Sequence, residues 1–334
     1  MLIYAIYFFA FHTSTPQQIL ADLPSRRSTN KRLIMSIRTI DPTQLSQREV
    51  HQYLLTAVAP RPICFASTVD TEGNVNLSPF SFFNVFSSNP PVMVFSPSRS
   101  GRDGSTKDTL DNVQEVKEVT INIVNYPIVE QMSLASTAYD KGVNEFVKAG
   151  LTEVASTKVR PPRVAESPVA FECVVDQVIA LGDGPGAGNL VVARVVMIHL
   201  QEEYLDAEGK LDTIKLDLVS RMGGIWYSRA IPESLFEIPK PLRNLGIGVD
   251  QLPSNVRNSH ILTGNNIGRL GNLKHLPSTE ELANLQEDVD LKGLILRKAP
   301  LEDYHQLAKL WIDKGDTQKA LGLLVIAEGQ VRNS

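Results

Sequence analysis

The sequence is poor in the features that metal centres, redox thiols and nucleic-acid interfaces require. Its only two cysteines, Cys64 and Cys173, stand singly within apolar strand patterns, which is typical of buried thiols in a reducing compartment and indicates a cytoplasmic protein. The six histidines show no ligand spacing, so no metal site is predicted. The formal net charge of -4 gives no support for nucleic-acid binding.

Long hydrophobic runs are also scarce. The run Leu2–Phe11 is too short to span a bilayer and has neither a basic n-region nor a convincing cleavage site, so no membrane association is predicted. We interpret residues 1–34 as a poorly ordered or non-native extension, with Met35 as the true initiator. A transit peptide is the alternative, because the polar segment that follows contains four basic residues against the single acidic Asp22: Arg26, Arg27, Lys31 and Arg32.

The segment from Thr56 to Pro97 carries the most chemical information. Arg61 lies between two prolines, which restrict the backbone and favour an extended conformation at Arg61. A guanidinium pairs bidentately with phosphate oxygens, and Ser67 follows within the predicted strand Ile63–Val69. Downstream, polar residues alternate with apolar ones, so one segment offers hydrogen bonds and ring-covering surface. The polar members are Asn76, Ser78, Ser81 and Asn84, and the apolar members are Leu77, Phe80, Phe82 and Phe83.

A second motif marks the start of a helix. Leu110, Val113 and Val116 recur at helical spacing, and Ser105 or Thr106 is suited to the N-cap, so we predict a helix from Lys107. A helix N-terminus attracts phosphate through its free N–H groups and its dipole, and a lysine adds a full charge. The simpler interpretation is an ordinary capped helix.

Together these motifs resemble the flavin reductase-like family over the range from about Ser46 to about Ala230. The resemblance implies a mainly β fold, an FMN-binding Greek-key split β-barrel with short helical insertions. It also implies a set of FMN contacts, although serine, asparagine and phenylalanine in such a segment are usually turn and core residues. These contacts are Arg61, Ser67, Ser81, Phe82, Asn84, Lys107 and Thr109.

The same resemblance implies an activity and an assembly. It implies an NAD(P)H-dependent flavin oxidoreductase that transfers hydride to bound FMN and passes electrons to a small-molecule or flavin acceptor, with no catalytic side chain identified. A flavoredoxin-like electron carrier without enzymatic activity shares every motif and is the alternative, and a degenerate barrel with another ligand is a third. Because such subunits commonly complete one another's flavin pocket, the resemblance also implies a homodimer.

Two glycine-rich segments do not fit nucleotide-binding fingerprints. Gly101–Lys107 has the wrong spacing for a P-loop. Gly182–Gly188 lacks the third glycine of a dinucleotide fingerprint and precedes a β-rich run, so we predict the tip of a β-hairpin formed by Val169–Ala180 and Leu190–His199. NAD(P)H is therefore expected to be a visiting substrate without a Rossmann domain of its own.

The remaining pattern predicts a barrel over residues 35–238 and an extension over residues 239–334. The barrel is assigned further strands at Val75–Phe83, Val92–Phe95, Val119–Val124 and Ile214–Leu218, and helical stretches at Pro127–Ala138 and Asn144–Ala149.

The extension begins with a Gly- and Asn-rich segment that is expected to wrap over the barrel as loops. It ends in a helical hairpin, Pro300–Lys314 and Thr317–Glu328, with apolar stripes that we expect to pack against the barrel or another subunit. The stripe residues are Leu307, Leu310, Trp311, Leu321 and Leu324. Because the second helix resembles part of a tetratricopeptide repeat, a partner-binding module is the alternative.

Overall fold

The computed structural model describes residues 36–238 and 245–333, with side chains in the last helix as far as residue 329. The proposed initiator Met35 and the extension before it lie outside the described residues. The chain divides into two compact units, one that ends at Ser234 and one that begins at Leu235. Each unit has a hydrophobic core of its own, so each is described separately.

The first unit is built on a seven-stranded antiparallel sheet and two short two-stranded ribbons. The strands are β1 (Cys64–Val69), β2 (Val75–Phe80), β3 (Phe83–Ser88), β4 (Pro91–Phe95), β5 (Glu118–Ile123), β6 (Glu153–Val154), β7 (Arg163–Val164), β8 (Val169–Ala180), β9 (Asn189–Leu200), β10 (Val219–Arg221) and β11 (Tyr227–Arg229). Strands β8 and β9 form the predicted long hairpin, whose tip contains the glycine cluster.

The strand order shows that the main sheet curls round on itself. Its order is β2-β1-β5-β8-β9-β4-β3, so the two edge strands are β2 and β3. Only Ser81 and Phe82 separate these strands in the chain, which forces the two edges to approach each other. The pairings of the described residues include no ladder between β2 and β3, so the barrel-like sheet is open along that seam.

Side-chain alternation along β1 separates two cores. Cys64 and Ala66 face a cluster that includes Leu110 of a neighbouring helix, whereas Ile63 and Phe65 belong to a second cluster. The two faces of β1 therefore contact different parts of the unit.

Within the described residues 36–234, five α-helices accompany the sheet: α1 (Gln47–Ala57), α2 (Asp108–Glu115), α3 (Val129–Leu134), α4 (Glu145–Ala149) and α5 (Thr213–Leu216). The predicted strand Ile214–Leu218 is wrong. The Asp212 side chain accepts hydrogen bonds from the N–H groups of Ile214 and Lys215 at 2.8 and 3.1 Å, and this cap nucleates the one-turn helix α5. The predicted strand Val75–Phe83 is likewise two strands.

The second unit is helical. Its helices are α6 (Ser254–Arg257), α7 (Gly264–Gly271), α8 (Thr279–Leu285), α9 (Val289–Leu296), α10 (Leu301–Asp313) and α11 (Thr317–Asn333). The Gly- and Asn-rich segment was predicted to form loops, but it contains α6 and α7. No helix in the described ranges is long and apolar enough to cross a membrane.

The predicted hairpin is confirmed as α10 and α11. The prediction that its apolar face packs against the barrel or another subunit is wrong. Trp311, Leu321 and Leu324 are buried in a cluster that includes Leu270 and Leu291 of the same unit. The second unit therefore covers this face itself. Of the predicted stripe, Leu307 is partly buried and Leu310 is exposed.

Candidate functional site

Four of the predicted site residues, Arg61, Ser81, Phe82 and Lys107, lie near the end of β2. The Lys107 ammonium lies 5.3 Å from the centroid of the Phe80 ring. Ser81 and Phe82 form the turn that follows β2, and Arg61 Nε donates a hydrogen bond of 3.5 Å to Ser81 Oγ. The structure thus brings the first strand segment and the start of α2 to one place.

The first turn of α2 lacks a side-chain cap. The helix begins at Asp108, with Lys107 at the N-cap, and the Lys107 side chain makes no capping hydrogen bond. Ser105, one of the two predicted caps, instead bonds Asp103 through its N–H and its hydroxyl at 3.0 and 2.8 Å. The described polar contacts supply no acceptor for the N–H groups of Asp108 and Thr109, so both remain available to an anion.

Lys107 adds positive charge to this helix end. The residue as a whole is exposed, yet desolvation lowers the pKa of its ammonium, and the nearby Glu145 carboxylate opposes that shift. Glu145 is itself buried, and this burial raises the pKa of its carboxyl group. Lys107 remains an accessible cation beside the open helix end.

Arg61 joins two segments of the protein through hydrogen bonds to their backbone carbonyl groups. Its Nη1 donates to the carbonyl oxygens of Leu55 and Val58 at 2.5 and 2.6 Å, and its Nη2 donates to Met222 O at 3.0 Å. With the bond to Ser81, these contacts occupy four of the five N–H donors of a guanidinium. Arg61 holds the end of α1 against the segment that follows β10, and its direct contact with FMN stays a prediction.

Thr109 faces the protein interior. The residue is fully buried, and its hydroxyl donates a 2.7 Å hydrogen bond to Asn76 Oδ1 on β2. Its side chain is therefore committed to the protein, whereas its backbone N–H belongs to the open first turn. The predicted FMN contact of Thr109 stays a prediction, and the group that Thr109 can offer to a ligand is this backbone N–H.

The structure does not bring Ser67 or Asn84 to the same place. Ser67 points to the face of β1 that carries Phe65, away from α2, while its neighbour Thr68 points toward α2. Asn84 is exposed on β3, where its Oδ1 accepts the N–H of Val85 at 2.8 Å. Both predicted FMN contacts stay predictions.

Sequence reasoning missed Arg99. It lies in the loop between β4 and α2, where its Nη1 donates to Gly104 O at 3.1 Å, while its Nε is buried with no hydrogen-bond partner among the described residues. A buried N–H donor without an acceptor is costly and marks a place where a ligand oxygen is welcome. The signal in the sequence was an arginine just upstream of the predicted phosphate-binding helix.

The donor set of this region suits a phosphate ester of an aromatic ring system. Open N–H groups of α2, the Lys107 ammonium and the Arg99 Nε–H in the loop before α2 are hydrogen-bond donors or positive charges, and Phe82 in the turn after β2 is exposed. Within the described residues no group of three or more histidine, cysteine or acidic side chains could hold a metal ion.

Comparison with known proteins identifies the family. The sequence model of the flavin reductase like domain matches residues 57–215. A relative from Halalkalibacterium halodurans is 38% identical over 192 residues, which is 57% of this chain and 91% of the relative. The chain belongs to the flavin reductase-like family. YwrF of Bacillus subtilis is 34% identical over 189 residues, or 56% of this chain and 91% of that protein, and both relatives are described as uncharacterized.

Solved structures of flavin reductase-like architecture agree with the first unit. Nitrilotriacetate monooxygenase component B from Bacillus cereus aligns with a TM-score of 0.56 and 28% identity, and covers 61% of this chain and 98% of its own. The 2-nitrobenzoate 2-nitroreductase NbaA of Pseudomonas fluorescens aligns with a TM-score of 0.53 and 26% identity, over 63% of this chain and all of its own. The matched family domain ends before the helical unit begins.

Proposed function

We propose that this protein is an FMN-dependent oxidoreductase of flavin reductase type, in which hydride passes from NAD(P)H to bound flavin. The observation that carries the proposal is the uncapped first turn of α2 with Lys107 at its N-cap. Flavins differ at their polar end, and a site for one phosphate monoester selects FMN over riboflavin.

The chain's own residues supply binding and orientation. The first turn of α2, Lys107 and Arg99 hold the phosphate end, and Phe82, whose relative exposure is 39%, offers apolar surface to the ring system. Bound flavin supplies the redox chemistry, because it accepts a hydride and releases electrons to an acceptor. The protein therefore requires no general acid or base for the step.

The relatives support a reductase. One solved relative is a monooxygenase component and another is a nitroreductase, and both names belong to redox proteins. Steady-state oxidation of NADH and of NADPH with added FMN tests the proposal, and we expect turnover with at least one of the two nucleotides. Tight FMN occupancy without any oxidation of NADH or NADPH would instead support the flavoredoxin-like electron carrier.

The proposed assembly is a homodimer in the cytoplasm. Strand β3 is an edge of the sheet and exposes Val85 and Phe86, with relative exposures of 62% and 68%. Ile225 and Trp226 are exposed as well. Apolar side chains on an unpaired edge support pairing with a second subunit. Both cysteines are free and buried, which agrees with a reducing compartment.

A further inference from the structure

A buried chain of hydrogen bonds runs from the first turn of α2 to a carboxylate on α4. Thr109 Oγ1 donates to Asn76 Oδ1 at 2.7 Å, and Asn76 Nδ2 donates to Glu145 Oε1 at 3.0 Å. Glu145 Oε2 also accepts the backbone N–H of Leu77 at 2.8 Å. Thr109, Asn76 and Glu145 are all buried, so these bonds are shielded from competition with water.

The carboxylate fixes the direction of the chain. An ionised carboxylate only accepts, so Asn76 must turn its NH₂ group toward Glu145 and its Oδ1 toward Thr109. The Thr109 hydroxyl must then donate inward. A side branch has the same direction, because Asn112 Nδ2 donates to Thr68 Oγ1 at 3.1 Å and Thr68 Oγ1 donates to Asn76 Oδ1 at 3.5 Å.

These hydrogen bonds connect the uncapped first turn of α2 to the sheet. Helix α2 has only eight residues, and its N-cap side chain makes no hydrogen bond. Leu110 and Val113 hold the helix by apolar packing, but apolar contacts are not directional. The Thr109 hydroxyl is the polar side-chain contact that joins the first turn to the sheet in the described part of the chain.

We propose that the Thr109–Asn76–Glu145 chain positions the first turn of α2 for the phosphate of FMN. Thr109 is thus a positioning residue whose hydroxyl never touches the ligand. The inference rests on the proposed function, since it presumes that FMN is bound there. Because riboflavin has no phosphate, its binding is independent of how well the first turn is placed.

The test compares FMN and riboflavin affinities of full-length variants by fluorescence titration. Thr109→Val keeps the shape of the side chain and removes the hydroxyl. We expect it to weaken FMN binding about three- to tenfold, the scale of one lost hydrogen bond, and to leave riboflavin affinity within about twofold. Thr109→Ser restores the hydroxyl and is expected to restore FMN affinity. Thr68→Val removes the hydroxyl of the side branch to Asn76 and is expected to shift the ratio of FMN to riboflavin affinity in the same direction.

Glu172→Gln is the matched control, because it removes a different buried carboxylate that also accepts backbone N–H groups. It is expected to lower the melting temperature and to leave the ratio of FMN to riboflavin affinity unchanged. The positioning role is overturned if Thr109→Val and Thr68→Val leave that ratio unchanged, or if the Glu172 variant shifts it equally. An unmodified protein that binds FMN and riboflavin equally overturns the proposed function itself, which is a separate outcome.

Discussion

At the scale of single residues, two cations near one turn have different tasks. Arg61 is buried and its guanidinium donates hydrogen bonds to backbone carbonyl groups of the protein, whereas Lys107 is accessible at an open helix end. Burial lowers the pKa of Arg61, and electrostatic repulsion from Arg221 lowers it further. The guanidinium of the Pro-Arg-Pro segment therefore holds the end of α1 and the residue after β10 together.

We expect Lys107→Ala to affect FMN binding and Arg61→Ala to affect stability. Lys107→Ala is expected to weaken FMN binding about tenfold or more, since charge-assisted contacts contribute about 1.5–3 kcal/mol, with riboflavin affinity and melting temperature nearly unchanged. Arg61→Ala should instead lower the free energy of unfolding by about 1–3 kcal/mol, because the part-buried carbonyl groups of Leu55, Val58 and Met222 lose their donor. Urea unfolding and flavin titration of both variants check this, and an unchanged stability of the Arg61 variant would refute this structural role of Arg61.

Glu172 makes a pH-dependent contribution to stability. Its carboxylate accepts the N–H groups of Thr157 and Lys158 and contacts His199 Nε2. Burial is the largest influence on its pKa and raises it, but these bonds outweigh burial, so the pKa lies below its ordinary value of 4.5.

Because the pKa of Glu172 is lower in the folded state, the carboxylate stabilises the fold only when it is ionised. The stabilisation is present above about pH 4.5 and is lost as the pH falls through the lower pKa of the folded state. Glu172→Gln should therefore cost about 1.5–3 kcal/mol at pH 7, and the difference from the unmodified protein should shrink in acid. Chemical denaturation at pH 7 and pH 4 measures both, and a deficit that grows in acid would contradict the assignment.

At the scale of elements, alternation and caps explain what the sequence could predict. Strands β1 and β8 and the glycine-tipped hairpin were predictable from apolar alternation and turn residues. The break after β2 was not, because Ser81 and Phe82 contain no glycine or proline. Helix α7 was missed although Thr263 and Asn266 form a capping box, since its three glycines and two asparagines obscured the periodicity.

The site was predictable in part for a similar reason. Lys107, Ser81 and Phe82 lie where a linear motif places them, next to the end of β2. The partners of Thr109 could not be read from the sequence, because Asn76 and Glu145 come from elements distant in the chain. Buried networks of polar side chains form only through tertiary packing, so local sequence patterns do not predict them.

At the scale of the whole molecule, the exposed edge strand β3 predicts the assembly. We expect a dimer with twice the 36.8 kDa chain mass in light scattering. Phe86→Lys should shift the protein toward monomer, since a charge on an edge strand opposes pairing. Val147→Lys is the control, because Val147 is similarly exposed but lies on α4. A monomer with full FMN occupancy would rule out the shared pocket.

The two separate cores predict how truncations behave. A chain that ends at Ser234 retains the clusters of the first unit, so we expect it to keep FMN affinity. A chain that ends at Ala299 loses α10 and α11 and exposes the buried residues they cover, so we expect aggregation and loss of a cooperative helical melt. Circular dichroism with FMN titration distinguishes these outcomes, and loss of flavin binding in the chain that ends at Ser234 would contradict them.

The open first turn of α2 and Lys107 form the proposed site for the phosphate of FMN. Parallel fluorescence titrations of the unmodified protein with FMN and with riboflavin test this proposal most directly. We expect FMN to bind at least about tenfold more tightly than riboflavin, the difference that one charge-assisted phosphate contact provides. Equal affinity for the two flavins would contradict the proposal.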